Sequence, residues 1–328
     1  MDRRRFVAGV GGALAFPGAL RAQALRQFRV GLLAGADEKS ATPNKEQFVL
    51  GLRDLGYEIG RNLDFDIRYA GGDTGRYAAL ADELIALKPD VLVSVDSGAI
   101  VMRAKTETIP IVLLTSTDPV ADGLVRSLAR PGTNVTGLAD LFEQLVAKHV
   151  DLLTEIAPRI SHIAFLDFAR PPNPLSAERY EAFAKKAAAG KKLKLMIARA
   201  RDPDSVRQVF ATIERDHVQG IVVAGRVETY QLRKEIIGHA RRMRLPAISA
   251  LPPGWSEDGG LLNYGPDFHH SYRYAAKFVD RILKGARPAD LPVEQISKYL
   301  LVLNLKSARE IGLTIPQTLL LRADRVIE

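Results

Sequence analysis

The chain has 328 residues, of which 47% are hydrophobic and 26% charged, a composition typical of globular proteins with room for two domains. Its formal net charge is +8, but the basic clusters outside the N-terminal segment lie at predicted helix ends, so we expect solvated faces and no nucleic-acid partner. The absence of cysteine excludes disulfides, thiolate metal sites, thiol nucleophiles and a cysteine-linked lipid anchor, and we therefore expect no membrane anchor.

Residues 1–24 have the organisation of an export signal. The run Arg3-Arg4-Arg5-Phe6-Val7 has a twin-arginine form, an uncharged apolar stretch follows to residue 20, and Ala22-Gln23-Ala24 has the small-x-small form of a cleavage site. The apolar stretch is shorter than the ~20 residues that span a bilayer. We therefore predict a signal peptide cleaved near Ala24 and a periplasmic mature protein. The alternative is a basic N-terminus with an incidental apolar run.

From residue 28 to about residue 140, short apolar runs alternate with amphipathic stretches. Strands are predicted at 28–33, 63–69, 91–95 and 111–114, and helices at 44–56, 76–87 and 99–106. Short buried strands separated by helices of this length favour a parallel sheet built from βαβ units.

The second part of the chain repeats this pattern. Strands are predicted at 162–166, 194–197, 220–224, 247–249, 261–264 and 299–303, and helices at 175–189, 203–216, 229–243 and 268–284. The matching halves predict an α/β fold of two similar lobes, with the chain crossing between them near 134–140.

In the first half, polar residues follow two predicted strands, where open parallel sheets bind their ligands. Ser97-Gly98-Ala99 opens a helix whose free N–H groups would attract a carboxylate or phosphate, unless Ser97 is only a helix cap. Thr115-Ser116-Thr117 supplies three hydroxyl groups after the next strand, although an ordinary Ser/Thr turn would also explain them.

The second half has comparable positions. Asp167 ends one strand, Gly225-Arg226 ends another with Tyr230 one turn into the next helix, and the 251–255 loop carries the only tryptophan, Trp255. Each alone is more typical of a surface salt bridge or a core aromatic. On one edge of two sheets they form a charge pair and aromatic walls, which favours a small-molecule cleft.

The sequence lacks the common enzyme motifs. We find no Gly-x-Ser-x-Gly elbow, phosphate-binding loop, His-Glu-x-x-His or dinucleotide fingerprint, and we predict no catalytic set, cofactor or metal site. His269-His270 follows Asp267 at a helix start, but a metal site needs several converging ligands. Catalytic sets can also be assembled from distant residues, so an exported α/β enzyme remains an alternative.

Four stretches carry a family resemblance. They are residues 124–137, ending in Arg-Pro-Gly-Thr-Asn-Val-Thr-Gly; 259–267, Gly-Gly-Leu-Leu-Asn-Tyr-Gly-Pro-Asp; 279–295; and the C-terminal stretch, through its segments 303–306, 311–316 and 322–324. Over nearly the whole mature chain the sequence resembles bacterial ABC-transporter substrate-binding proteins of the group that includes the tryptophan-binding (TrpX-like) proteins. The resemblance implies a type I periplasmic binding fold, with two Rossmann-like lobes that close around a ligand by hinge motion.

The resemblance also implies positions for the ligand site. Residues 97–99 and 115–117 match the family's two ligand loops of the first lobe, and Asn173-Pro174 matches a loop facing the cleft from the second lobe. The expected ligand-binding set is Ala36, Ser97, Gly98, Ala99, Thr115, Ser116, Thr117, Asp167, Asn173, Arg226, Tyr230 and Trp255. We expect the first lobe to comprise 25–138 and 259–292, and the second 139–258 and 293–328.

The departures from the family concern specificity. Gly225-Arg226 stands where relatives often carry Asp-Pro, so an aromatic amino acid cannot simply be carried over as the ligand. A cleft cation at Arg226 would suit a ligand with an extra carboxylate.

Together these expectations describe a monomeric periplasmic protein that binds a small solute, an amino acid or other carboxylate, for an ABC permease. A sugar-repressor-like regulator would need a helix-turn-helix where residues 1–24 form the export signal.

Overall fold

The computed structural model describes residues 27–140, 142–168, 174–250 and 254–328. The predicted export signal at 1–24 lies outside these residues. Through the first crossing between the lobes, the elements are β1 (Phe28–Ala34), α1 (Glu38–Asp54), β2 (Leu63–Tyr69), α2 (Tyr77–Ala86), β3 (Val91–Val95), α3 (Asp96–Lys105), β4 (Ile111–Thr115) and β5 (Val135–Ala139).

The remaining elements continue in chain order. They are α4 (Phe142–Ile156), β6 (His162–Phe168), α5 (Pro174–Gly190), β7 (Lys194–Ala200), α6 (Pro203–Arg215), β8 (Gly220–Val223), α7 (Val227–Gln231), α8 (Arg233–Arg242), β9 (Ala247–Ser249), α9 (Gly254–Glu257), β10 (Leu262–Pro266), α10 (Phe268–Leu283), β11 (Glu294–Gln295), β12 (Tyr299–Asn304), α11 (Leu305–Glu310), α12 (Gln317–Leu320) and β13 (Arg325–Ile327).

Within the described residues the strands form two sheets, one in each lobe. The first lobe has six strands in the order β11-β5-β4-β3-β1-β2, all paired in parallel. The second has seven in the order β13-β12-β10-β9-β8-β6-β7, with β10 and β12 antiparallel and the other pairs parallel. The predicted α/β fold with two Rossmann-like lobes is confirmed.

Burial on both faces explains why the strands could be recognised. Val91, Leu92 and Val93 of β3 are fully buried, as expected for a parallel strand covered by helices on both sides. On α1, Phe48 and Leu52 lie one helical turn apart and pack into the first core together with Phe278 of α10. Burying each such side chain contributes roughly 2 kcal/mol.

Two helices differ from their predictions for identifiable reasons. The first was predicted to begin at residue 44, after Pro43, but α1 begins at Glu38 and includes Pro43. Its start is fixed by Asp37, whose carboxylate accepts a hydrogen bond from the Ser40 amide at 3.0 Å. The predicted helix 229–243 is two helices, α7 and α8, separated at Leu232.

Three chain crossings join the lobes, and they contact one another. After β5 the chain enters the second lobe; it returns at Asp267 into α10, and crosses again between β11 and β12. Strand β10 therefore belongs to the second sheet and β11 to the first, whereas residues 259–292 were expected in the first lobe and 293–328 in the second. The Lys298 amine pairs with the Asp267 carboxylate at 2.9 Å, and the Tyr299 hydroxyl donates to the Asp140 carbonyl at 2.9 Å. Side-chain contacts thus tie all three crossings together.

Among the described residues, every helix falls short of the length and apolarity that a membrane crossing requires.

Gly51 allows α1 and α10 to lie in close contact. A Cβ added at Gly51 would stand 2.3 Å from the carbonyl oxygen of Arg273 and 2.9 Å from the Cβ of Ala276, both on α10. Neither a backbone carbonyl nor a Cβ can move away without shifting the helix. The packing of the first lobe therefore depends on a glycine at this position.

We predict that Gly51→Ala destabilises the protein by about 1–3 kcal/mol, because the methyl group overpacks the contact between the two helices. The matched control is Gly238→Ala in α8, where an added Cβ meets only the end of the Arg242 side chain, at 3.6 Å. That control should gain roughly 0.5–1 kcal/mol, since alanine replaces a glycine inside a helix. Urea unfolding measures both, and equal effects of the two substitutions would contradict the prediction.

Candidate ligand-binding site

A cavity of about 240 Å³ lies between the lobes, at the carboxyl ends of the strands of both sheets. The first lobe lines it with the ends of β1, β3 and β4 and with α1, and the second lobe with residues 225–228, Tyr230 and both ends of α9. Its apolar walls include Leu33, Ile100, Leu114, Phe268 and Tyr272. This volume is below the ~300–1,000 Å³ typical of drug-sized ligands, so the cavity fits a solute of roughly amino-acid size.

The structure brings half of the predicted ligand-binding set to this cavity. Those that line it are Ala36, Ser97, Thr115, Thr117, Arg226 and Tyr230. Those described but not lining it are Gly98, Ala99, Ser116, Asp167 and Trp255. Asn173 lies outside the described residues. The ligand contacts of all these residues remain predictions.

The start of α3 faces the cavity through Ser97. The helix cap position is Val95, which offers no side-chain hydrogen bond, so Ser97 is a residue of the first turn and not the cap. The N–H groups of this turn are therefore not capped by a side chain at Val95, and they carry the positive end of the helix dipole. Gly98 packs inward instead, because a Cβ there would stand 2.1 Å from the Ser94 hydroxyl, and Ala99 is buried in the apolar core.

The three hydroxyl residues at the end of β4 and just after it do not all reach the cavity. Thr115 and Thr117 line the cavity, whereas Ser116 is fully buried and its hydroxyl has no hydrogen-bond partner among the described residues. The Thr115 hydroxyl donates to the buried carboxylate of Asp140, at the first crossing. One wall of the cavity is thus bonded to the segment that connects the lobes.

Arg226 and Asp167 form a buried ion pair behind the second-lobe wall. Arg226 Nε and Nη2 donate to the two carboxylate oxygens of Asp167, and Nη1 donates to the Ser176 hydroxyl at 3.2 Å. The guanidinium lies over the Tyr180 ring, 4.7 Å from its centroid. Burial lowers the pKa of Arg226, but the charge and hydrogen bond of Asp167 outweigh it, so the pKa is raised. Arg226 is therefore charged and already neutralised within the protein.

The aromatic residues of the site divide between wall and core. Tyr230 lines the cavity, and Arg233 lies over its ring at 3.9 Å. Burial raises the pKa of Tyr230 and of Tyr272, so both are neutral phenols at ordinary pH. Trp255 is 1% exposed and packs in an apolar core of the second lobe. A Cβ at Gly260 would stand 2.2 Å from its indole nitrogen, so Trp255 needs that glycine beside it.

Sequence reasoning missed several lining residues, namely Asn44, Lys45, Glu228, Phe268 and Tyr272. Phe268 and Tyr272 are four residues apart and share one face of α10, a spacing that identifies a helix face but not what it meets. Lys45 lies on α1, within the range 44–56 that was predicted to be helical, but the sequence pattern did not show which residues of this helix line the cavity.

One ion pair joins the lobes across the site. Asp122, in the turn after β4, lines the cavity, and its side chain is only 2% exposed. Arg179 of α5, in the second lobe, approaches its Oδ1 with Nη2 at 2.6 Å. The two lobes therefore contact each other directly. Among the residues that the structure describes, no group of three or more His, Asp or Glu side chains is placed to hold a metal ion.

Comparison with known proteins extends the resemblance. The family model of the ABC transporter substrate binding proteins matches residues 31–327. A crystal structure of a conserved domain protein from Vibrio cholerae is 29% identical, with 92% of this chain and 100% of that chain covered and a TM-score of 0.83.

Two further relatives have a stated ligand. An ABC domain from Streptococcus pneumonia, crystallised in complex with L-Trp, is 26% identical, covers 92% of this chain and 100% of that one, and gives a TM-score of 0.82. A tyrosine-binding protein of Clostridioides difficile is 22% identical over 283 residues, which are 85% of this chain and 79% of the relative.

We predict that Arg179→Met opens the lobes, because the interlobe ion pair is lost and Asp122 is left buried without that partner. The Arg179 side chain is 20% exposed, so its removal should cost less than the ~3–5 kcal/mol of a fully buried pair, but each ~1.4 kcal/mol still shifts the equilibrium between closed and open lobes tenfold. Small-angle scattering without ligand should show a larger radius of gyration.

The matched control for this substitution is Arg199→Met. Arg199 pairs with Glu181, which also belongs to α5, but both partners lie within the second lobe. This control should leave the radius of gyration unchanged. A wild-type radius for Arg179→Met would contradict an interlobe role of the pair.

Proposed function

The chain belongs to the ABC transporter substrate binding protein family, and from that premise we propose that it is the periplasmic solute-binding component of an ABC importer. The observation that carries this proposal is the cavity between the lobes, which both lobes line with polar groups and apolar walls. The export signal predicted at residues 1–24 supports the periplasmic location. The protein would release its solute to a membrane permease, and it would neither form nor break a covalent bond in the solute.

We infer that the solute is small and carries a carboxylate. The first turn of α3 presents the Ser97 hydroxyl and the positive helix end to the cavity, and Thr117 adds a second hydroxyl. Phe268, Tyr272 and Tyr230 supply aromatic surface for an apolar body. An amino acid with an apolar or aromatic side chain has both parts. The relatives in complex with L-Trp and named for tyrosine support this class.

Capture works by a shift between open and closed arrangements of the lobes. A solute held by the first lobe alone favours neither arrangement, whereas one that also contacts residues 225–230 stabilises the closed one. The crossings bend, and the lobes move as units on either side of them. The cavity walls then exclude water from the solute, which strengthens its polar contacts.

We predict that an apolar or aromatic amino acid, or a carboxylate of similar size, raises the melting temperature of the protein, because a ligand that binds only the folded state stabilises it. At a ligand concentration of 100 Kd the stabilisation is about 2.7 kcal/mol. A thermal-shift screen of amino acids, aromatic acids and aliphatic acids tests this. Sugars of similar size serve as the control panel.

Mass spectrometry of the released ligand completes this test. The ligand should be recovered unchanged after prolonged incubation with the protein. A lack of any shift with carboxylates would contradict the proposed ligand class, and chemical conversion of the ligand would contradict a role in binding alone.

A further inference from the structure

One of the charged residues that line the cavity differs from the others in its ion pairing. Among the residues that the structure describes, the charged ones that line the cavity are Lys45, Asp122, Arg226, Glu228 and Glu257. Asp122 pairs with Arg179, Arg226 with Asp167, and Glu257 with Arg325. Lys45 has no hydrogen bond or ion pair with any residue that the structure describes. Its ammonium group is therefore the lining cation whose charge no described carboxylate balances.

The surroundings of Lys45 suit an anion. It lies on α1 in the first lobe and is half-buried. Its neighbour Asn44 also lines the cavity, and Asn44 Oδ1 is buried without a hydrogen-bond partner in the described residues. An amide can be turned to present its N–H₂ group where an acceptor arrives. The Ser97 and Thr117 hydroxyls and the start of α3 belong to the same lobe.

On the second-lobe wall, negative charge outweighs positive charge. Arg226 is bonded to Asp167 through two donors, and the nearby charge of Glu228 also favours its charged form. Two carboxylates thus accompany one guanidinium, which leaves little attraction for a further anion. Arg226 is consequently a poor anchor for a ligand carboxylate, in contrast to the expectation from sequence.

We propose that Lys45 determines the charge specificity of the cavity by pairing with the ligand carboxylate from the first lobe, while Arg226 positions the second-lobe wall. This inference rests on the proposed function. It implies a ligand with its carboxylate toward α1 and α3 and an ammonium or neutral end toward Glu228. Dicarboxylates and amines without a carboxylate are excluded.

The test compares each carboxylate that shifts the melting temperature with its primary amide, for example L-tryptophan with L-tryptophanamide and L-phenylalanine with L-phenylalaninamide. Isothermal titration gives the affinity ratio of acid to amide for wild type and for Lys45→Met. We expect the substitution to weaken acid binding by about 10- to 100-fold, the range of a charge-assisted hydrogen bond, and to bring the ratio close to one.

Two variants serve as controls. Lys39→Met removes an exposed lysine of the same helix that does not line the cavity, and it should keep the wild-type ratio. Lys45→Arg retains the positive charge and should keep most of the discrimination.

A third variant isolates the role of Arg226. The double substitution Asp167→Asn with Arg226→Met removes the buried pair as a unit, so neither charge is left alone. As Arg226 is a positioning residue, this variant should bind both compounds more weakly while the acid-to-amide ratio stays high.

The possible results are distinct. A wild-type ratio in Lys45→Met, or loss of the ratio in the folded double variant alone, overturns the role of Lys45 and leaves the proposed function intact. If wild type binds no carboxylate at all, the proposed ligand class fails together with this inference. If the double variant does not fold, the comparison of Lys45→Met with Lys39→Met decides.

Discussion

The contacts among the three crossings are the constraint on which the site depends. The Tyr299 hydroxyl bonds the Asp140 carbonyl, and Lys298 pairs with Asp267, so the segments between the lobes stay side by side. Asp140 also accepts a hydrogen bond from the Thr115 hydroxyl at the cavity wall. Nearby charge and burial raise the pKa of Tyr299 to about 12, with burial the larger cause, so this donor keeps its proton. The crossings therefore hold the two sheet edges opposite each other.

The sequence predicted the layers of the fold better than the site between them. Strand β3 coincides with its predicted range because four of its five residues are valine or leucine and the first four are buried, as is typical of a parallel strand covered by helices on both faces. The expectation that ligands bind beyond the carboxyl ends of parallel strands also led to Ser97, Thr117 and Arg226, which line the cavity. That expectation could not find Lys45, because Lys45 lies inside the helix α1 and not at the end of a strand. Nor could it show that Trp255 belongs to the core, since that depends on packing against Gly260.

A charged group that lines the cavity can serve the packing of the protein itself. The pair of Arg226 and Asp167 is largely removed from solvent, where such a pair stabilises little but fixes geometry through directed hydrogen bonds. It also holds α5 near the end of β8, because Arg226 reaches Ser176 and Tyr180. The presence of a cation in a cleft is thus a poor guide to ligand charge unless its partners within the protein are known.

The close contact of α1 and α10 at Gly51 has a kinetic consequence. Lys45 lies on α1 and Tyr272 on α10, next to the Arg273 carbonyl that meets Gly51, so the two packed helices carry a cation and an aromatic ring on the first-lobe side of the cavity. This half of the site exists before the lobes meet. A solute arriving by diffusion can dock there without waiting for a rearrangement, and the association rate should then approach that of an encounter with a preformed surface. Under the proposed function, the residence time of the solute is then set by the movement of the second lobe.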